Sequence, residues 1–398
     1  MASQYSPKKF FRKISNEYLN MYFESKNITV DFDLNALAEY EVNVIFNFYR
    51  SLHEDIRRVV EADFQIINSL ASEGGIIALI DEAKEHGNIE FVEVISEIAG
   101  FHNKSMWAYL TNPDYWNGAS LYFQADSVAP TTWRKIKNLP PATHPVSDIN
   151  IEMLSKAISD HFHLNEGRGK HCKIEYYKRG DLEYFCAFPE DFAKSSTEWV
   201  SSILQDSTHT MAFEIIMVYN PHNATLDMYA KNNAKAIPKL QALFAENILQ
   251  APLPEAGLID KRIYNLDVLA EADFEFVIPD KSLILTVSIV EARSNSKVDP
   301  KSYITVGESA TSNKNAVHKQ LNALNLIIPN RYISQVTLRV VFYPSRTEKT
   351  RSKKFKITQP NSCALGYMGD DLVIRKMLSA SGIEPQTMAS PQLDFECM

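Results

Sequence analysis

The sequence predicts an α+β protein: a helical N-terminal domain followed by an antiparallel-rich body of hairpins and helices. Three observations lead there. Through residues 1–111, apolar side chains recur at three- and four-residue steps, the period of an amphipathic helix. A proline-dense stretch then breaks the pattern. Beyond it the period moves towards two, in short runs separated by turn residues.

The helical stripes come in order. Phe10, Phe11, Ile14, Tyr18, Met21 and Tyr22 mark the first face. Leu34, Leu37, Val44, Ile45, Phe48, Tyr49 and Leu52 mark the next. Phe64, Ile67, Leu70 and Ala71 form a third, with a stop expected at Gly74-Gly75. Ile76, Leu79, Ile80 and Ala83 form a fourth, stopped at Gly87, and Phe91, Val94, Ile95 and Ile98 a fifth.

Residues 112–148 carry Pro113, Pro130, Pro140, Pro141 and Pro145, with Trp107, Trp116 and Trp133 in or beside them. Proline fixes φ and removes a donor, while tryptophan needs packing. This stretch is expected to be an ordered connector.

Residues 149–398 are expected to form the α+β body, in one domain or in two subdomains split near 250–262. Residues 172–178 and 182–188 read as strands joined at Arg179-Gly180-Asp181, a hairpin turn. A helix is expected over 189–204. A second hairpin turns at Asn220-Pro221-His222-Asn223, and a helix follows near 238–249, with Pro238 in its first turn. A long strand is expected over 282–293, a shorter one near 303–306 and a helix near 314–324. A third hairpin should pair 333–343 with 353–358, before a last helix over 370–378.

The totals restrict the class. Of 398 residues, 45% are hydrophobic and 23% charged, ordinary globular values. The net charge of −8 argues against a chain-wide basic footprint for nucleic acid. Cys172, Cys186, Cys363 and Cys397 are far apart with no C-x-x-C pair, which favours a reducing compartment. No apolar run is long enough for a membrane helix, and the basic start lacks the apolar stretch of a signal peptide. A cytoplasmic location is therefore expected, with no membrane partner.

No complete catalytic motif is present. His161, His163 and His171 lie near Cys172 and several carboxylates, all zinc-type ligands, but the H-E-x-x-H spacing is absent. Gly167-Arg168-Gly169-Lys170 is only a fragment of a phosphate loop. Asp280, followed by Glu291-Ala292-Arg293, resembles the metal-binding core of the restriction-endonuclease-like nucleases. That resemblance implies an Asp and a Glu holding a divalent metal beside a Lys. The Lys position is Arg293 here, which stays protonated and cannot act as a base.

The strongest local charge signal is cationic. Arg346, Lys349, Arg351, Lys353, Lys354 and Lys356 crowd the third hairpin, and Arg339 lies on the partner strand. Strand parity puts Phe355 and Ile357 on one face and Lys354 and Lys356 on the other. These residues are the expected nucleic-acid-binding surface; the plainer reading of such lysines is protection of a sheet edge. The resulting expectation is a non-enzymatic binding or assembly protein, contacting nucleic acid or a partner protein through this basic hairpin and needing no cofactor. The alternative is a metal-dependent hydrolase, perhaps a nuclease, using Asp280, Glu291 and Arg293 with a divalent metal.

Overall fold

The structure, a computed structural model, describes residues 5–384 apart from 40, 143, 201, 254–261, 272–273, 281, 309–315, 324–329, 344–350 and 367–368. The chain divides into two units, residues 1–128 and 129–398. Among the described residues it is an α+β protein with two antiparallel sheets, both in the second unit.

The first unit is helical: α1 (Pro7–Phe11), α2 (Asn16–Ser25), α3 (Val42–Ser51), α4 (Glu54–Leu70), α5 (Glu73–Glu85), α6 (Ile89–Glu97), α7 (Phe101–Thr111) and α8 (Trp116–Ser127). Its core is aromatic. Phe64 stacks on Phe10 at 4.6 Å between ring centroids and meets Phe11 edge-on at 5.9 Å, arrangements that suit the ring quadrupoles. Beside Phe64, the buried Asp63 accepts bonds from Tyr22 Oη and Tyr109 Oη, each at 2.7 Å, and pairs with Lys26 Nζ at 2.8 Å. Burial would raise the Asp63 carboxyl. The bonds from Lys26, Tyr109 and Tyr22 outweigh it and hold the group below the usual carboxylate range.

The second unit contains β1 (Arg134–Ile136), α9 (Asp148–Glu166), β2 (Cys172–Arg179), β3 (Leu182–Val200), β4 (Ile203–Ala212), β5 (Ile215–Asn220), β6 (Thr225–Ala230) and α10 (Ile237–Phe244). It continues with β7 (Ile284–Ser296), β8 (Tyr303–Gly307), α11 (Ala316–Ala323), β9 (Arg331–Phe342), β10 (Ser352–Thr358), β11 (Ser362–Cys363) and α12 (Gly369–Ala380). The first sheet runs β1-β6-β5-β3-β2, with β4 on β3; the second runs β11-β10-β9-β7-β8. Each sheet has its own core. Leu154, Ile158 and Phe162 of α9 and Leu240 and Phe244 of α10 pack on Phe185, Met217 and Met228. Ile374, Met377 and Leu378 of α12 pack on Leu338, Val340, Phe355 and Ile357.

Three expectations are corrected. Residues 189–204 are not a helix: they continue β3 and turn into β4. Phe192, Trp199, Val200, Ile203 and Leu204 happen to fall at helical spacing, but a ladder of paired residues from Lys194↔His209 to Val200↔Ile203 decides the conformation. Part of the expected connector is helical, because α8 lies between Pro113 and Pro130, prolines that punctuate its ends rather than break it. Gly74-Gly75 do not cap α4; they sit in the first turn of α5, where the Ser72 hydroxyl accepts the Gly75 N–H. Gly87 does follow α5 as read, with φ +67°. Among the described residues, no helix is long and apolar enough to cross a membrane.

Two outcomes follow for the first unit. A Cβ on Gly75 would lie 2.2 Å from the Leu70 carbonyl oxygen, so Gly75→Ala should destabilise by about 1–3 kcal/mol in chemical denaturation, as overpacking against backbone does. His102 is buried against Phe10 and Asn68; burial, helped by the charge of Lys13, lowers its pKa from 6.5 to about 4. The unfolded chain therefore binds a proton that the folded chain refuses between those values. The stability involved is complete above pH 6.5 and is lost, by up to about 1.4 kcal/mol per pH unit, as pH falls towards 4. Thermal unfolding of His102→Asn across that window should show a flatter acid limb than the wild-type chain.

Candidate functional site

The third hairpin forms as β9 and β10, with Lys354 opposite Arg339 and Lys356 opposite Thr337. Phe355 and Ile357 are buried, and Lys354 and Lys356 are exposed on the other face, beside the half-buried Arg339. Lys353 shares the parity of Phe355. It therefore turns to the core side, where it pairs with Asp371 of α12, while Arg351 meets Asp370 at 3.3 Å. The cationic outer face is thus Arg339, Lys354 and Lys356, with two other expected members neutralised from α12. Arg346 and Lys349 lie outside the described residues.

That same face has an apolar end. Tyr343 donates its N–H to the Leu283 carbonyl at 2.8 Å, and Tyr343, Leu283 and Leu285 are all exposed. The half-buried Val341 lies between Tyr343 and Arg339 along β9, paired with Thr286 and Ser352.

The nuclease-like residues do not converge. Asp280 is exposed in a turn before β7, whereas Glu291 lies seven residues beyond the start of that strand, about 23 Å along it at ~3.3 Å per residue. Carboxylates sharing one metal must approach to a few ångströms. Glu291 instead takes a long bond from Gln335 at 3.5 Å, and Arg293 stacks over Tyr303 at 4.2 Å. The histidines are also separated. His161 and His163 lie in the last turns of α9, where residues two apart point to nearly opposite sides; His171 precedes β2. Among the described residues, no group of three or more His, Cys, Asp or Glu side chains is placed to hold a metal ion. Gly167, with φ +73°, is the left-handed C-cap of α9, which explains the phosphate-loop fragment. Burial pushes the Cys172 and Cys363 thiols up to about 11 and Cys186 to about 12, the inert rather than the nucleophilic state.

Two features had no sequence expectation. The first is an arm. Beyond Glu190, β3 pairs only with β4, and this two-stranded ribbon is exposed on both faces. Arg168 anchors its root, pairing with Asp191 at 2.9 Å and lying 4.2 Å above the Phe213 ring. The tip is apolar: Trp199 is 68% exposed, Ile203 65% and Leu204 54%. Glu198 and Asp206 flank these residues.

The second feature is a cleft where the first sheet meets the chain after α12. Lys135 of β1 is buried between Asp227 Oδ2 at 2.9 Å and Glu384 Oε1 at 3.3 Å. Arg375 of α12 pairs with the same Glu384 oxygen and donates to the carbonyls of Leu365 and Gly366. Burial would lower the Lys135 ammonium, but Asp227 and Glu384 raise it above its ordinary value, so it stays charged. Two recesses adjoin here, of about 800 and about 380 Å³, and His222, Asn223 and Glu384 line both.

No family model, curated protein or solved structure matches the chain.

The two lysine environments should separate on mutation. Lys354→Glu and Lys356→Glu, on the open face, should leave the unfolding free energy within about 0.5 kcal/mol of wild type. Lys353→Glu sets a carboxylate against Asp371 and should cost visibly more in the same denaturant titration.

Proposed function

We propose that this chain is a non-enzymatic binding and assembly protein whose β3–β4 arm docks on the outer face of the second sheet in another copy. The arm carries this reading. A two-stranded ribbon is marginal in water by itself, and an apolar tip held out on both faces is a cost unless something covers it. The outer face of β9 and β10 complements the tip in kind. Tyr343, Leu283 and Leu285 offer apolar area to Trp199 and Leu204, which share one face of the arm, and Arg339, Lys354 and Lys356 offer positive charge to Asp206 on that same face. The basic hairpin then serves a protein partner. Because arm and face are different surfaces, the contact is head-to-tail, and copies would join in rings or open chains.

The test is sedimentation over a range of concentrations. Wild type should grow in mass with concentration. Trp199→Ser/Leu204→Ser and Leu283→Ser/Tyr343→Ser should each be monomeric, and the two variants mixed should form a one-to-one pair, since each keeps one intact half. Lys354→Glu/Lys356→Glu should weaken assembly and reduce its sensitivity to salt. A wild-type chain that stays monomeric up to its solubility limit sinks the proposal. Salt-dependent binding of duplex DNA instead, with a log–log slope of about −0.9 per phosphate contact, would favour the nucleic-acid reading of the same three cations. Metal-dependent cleavage lost in Glu291→Ala would favour the hydrolase.

A further inference from the structure

The cleft carries its charge in two layers. Beneath it, Lys135 and Arg375 pair with Asp227 and Glu384, each side chain 10% exposed or less, and those charges cancel. Ions so buried and already paired offer little to a ligand. The rim differs. Among the described residues it adds Lys137 just beyond β1, Arg179 at the end of β2 and Lys376 on α12, against the single carboxylate of Asp181. Lys376 is exposed, Lys137 and Arg179 are half-buried, and Asp181 Oδ1 lies 3.5 Å from His222 Nε2. Three cations to one carboxylate leave an excess of two positive charges, in a chain whose net charge is −8. Like charges gathered round a recess repel one another, and its low-dielectric walls focus their field on an incoming anion.

The recesses divide the occupant into two parts. The larger, of about 800 Å³, is within the range of small-molecule sites, and Leu139, Pro141, Pro221, Ala224 and Ile383 give it apolar sides. The smaller holds Arg179 and Lys376, and both are lined by His222, Asn223 and Glu384. One molecule with an apolar body and an anionic head can therefore lie across the two. We propose that this cleft binds a small organic phosphate monoester, its phosphate drawn by Arg179, Lys376 and Lys137 and its apolar body set against Leu139, Pro141 and Pro221. A phosphate monoester carries about 1.5–2 negative charges at pH 7, which matches the excess on the rim, whereas a carboxylate brings one. Arginine and lysine both suit phosphate oxygens, as a fork of donors and as a point charge.

Titration calorimetry of the full chain with 1-naphthyl phosphate, 1-naphthoate, 1-naphthol and inorganic phosphate tests this. The phosphate ester should bind saturably at one site per chain, and more weakly as salt is raised. Inorganic phosphate, which lacks the body, and 1-naphthol, which lacks the charge, should each bind at least tenfold more weakly. The singly charged 1-naphthoate should fall between. Lys137→Ala/Lys376→Ala should weaken the ester at least tenfold. Lys376→Glu, at an exposed helix position where substitution leaves the melting temperature near wild type, should do the same and keeps the test sound if the double variant folds poorly. The proposal is overturned if the ester does not bind, if 1-naphthoate or inorganic phosphate binds as tightly as the ester, or if a well-folded Lys376→Glu chain binds it unchanged.

Discussion

Lys135 is 6% exposed, and an ion so buried must be met by opposite charge or the fold containing it fails. Asp227 answers from the neighbouring strand, in register across the ladder. Glu384 answers from 249 residues away in sequence. That second partner also receives Arg375, which ties the middle of α12 to the carbonyls of Leu365 and Gly366. One ion thus ties the edge of the first sheet to the helix that covers the core of the second. Asn361 reinforces the join, donating to the Lys135 carbonyl at 3.3 Å. Two sheets with separate cores need such a device, since apolar packing inside each core does nothing to set one against the other.

The first unit uses the same principle in a smaller space. Asp63 draws Tyr22, Tyr109 and Lys26 from α2, α7 and the end of α2 onto one carboxylate next to the Phe64 ring. Aromatic packing tolerates many arrangements of similar energy; a buried carboxylate with three donors permits few. In both units the polar cluster specifies geometry, and the apolar core supplies the driving force.

The second sheet shows how strand parity sorts a run of like charges. Alternate positions from Arg351 to Lys356 divide between α12 and solvent, so a cationic stretch in sequence becomes two ion pairs and a smaller open face. Its apolar end and the apolar arm tip give the unit two unlike exposed surfaces. The cleft is a third, distinct in kind: recessed, and built around the buried ion pairs of Lys135 and Arg375 with Asp227 and Glu384.

The local elements were legible in the sequence wherever short-range physics decides them. The stripes around Phe10, Ile45 and Phe64, the turn at Gly180, the Asn220–Asn223 turn and the opposed faces of Phe355 and Lys354 all follow from period, turn chemistry and parity, which need no knowledge of the partner element. The arm was not legible. Phe192, Trp199 and Ile203 mimic a helical stripe, and only pairing with the strand after them selects the extended form. Nor was the partner of Lys353, because parity gives the direction of a side chain and not what waits there. The cleft is the extreme case. Lys135, Asp227 and Glu384 carry no mutual signal along the chain, since a charge's partner is set by distance in space, and only the folded backbone brings those distances within reach.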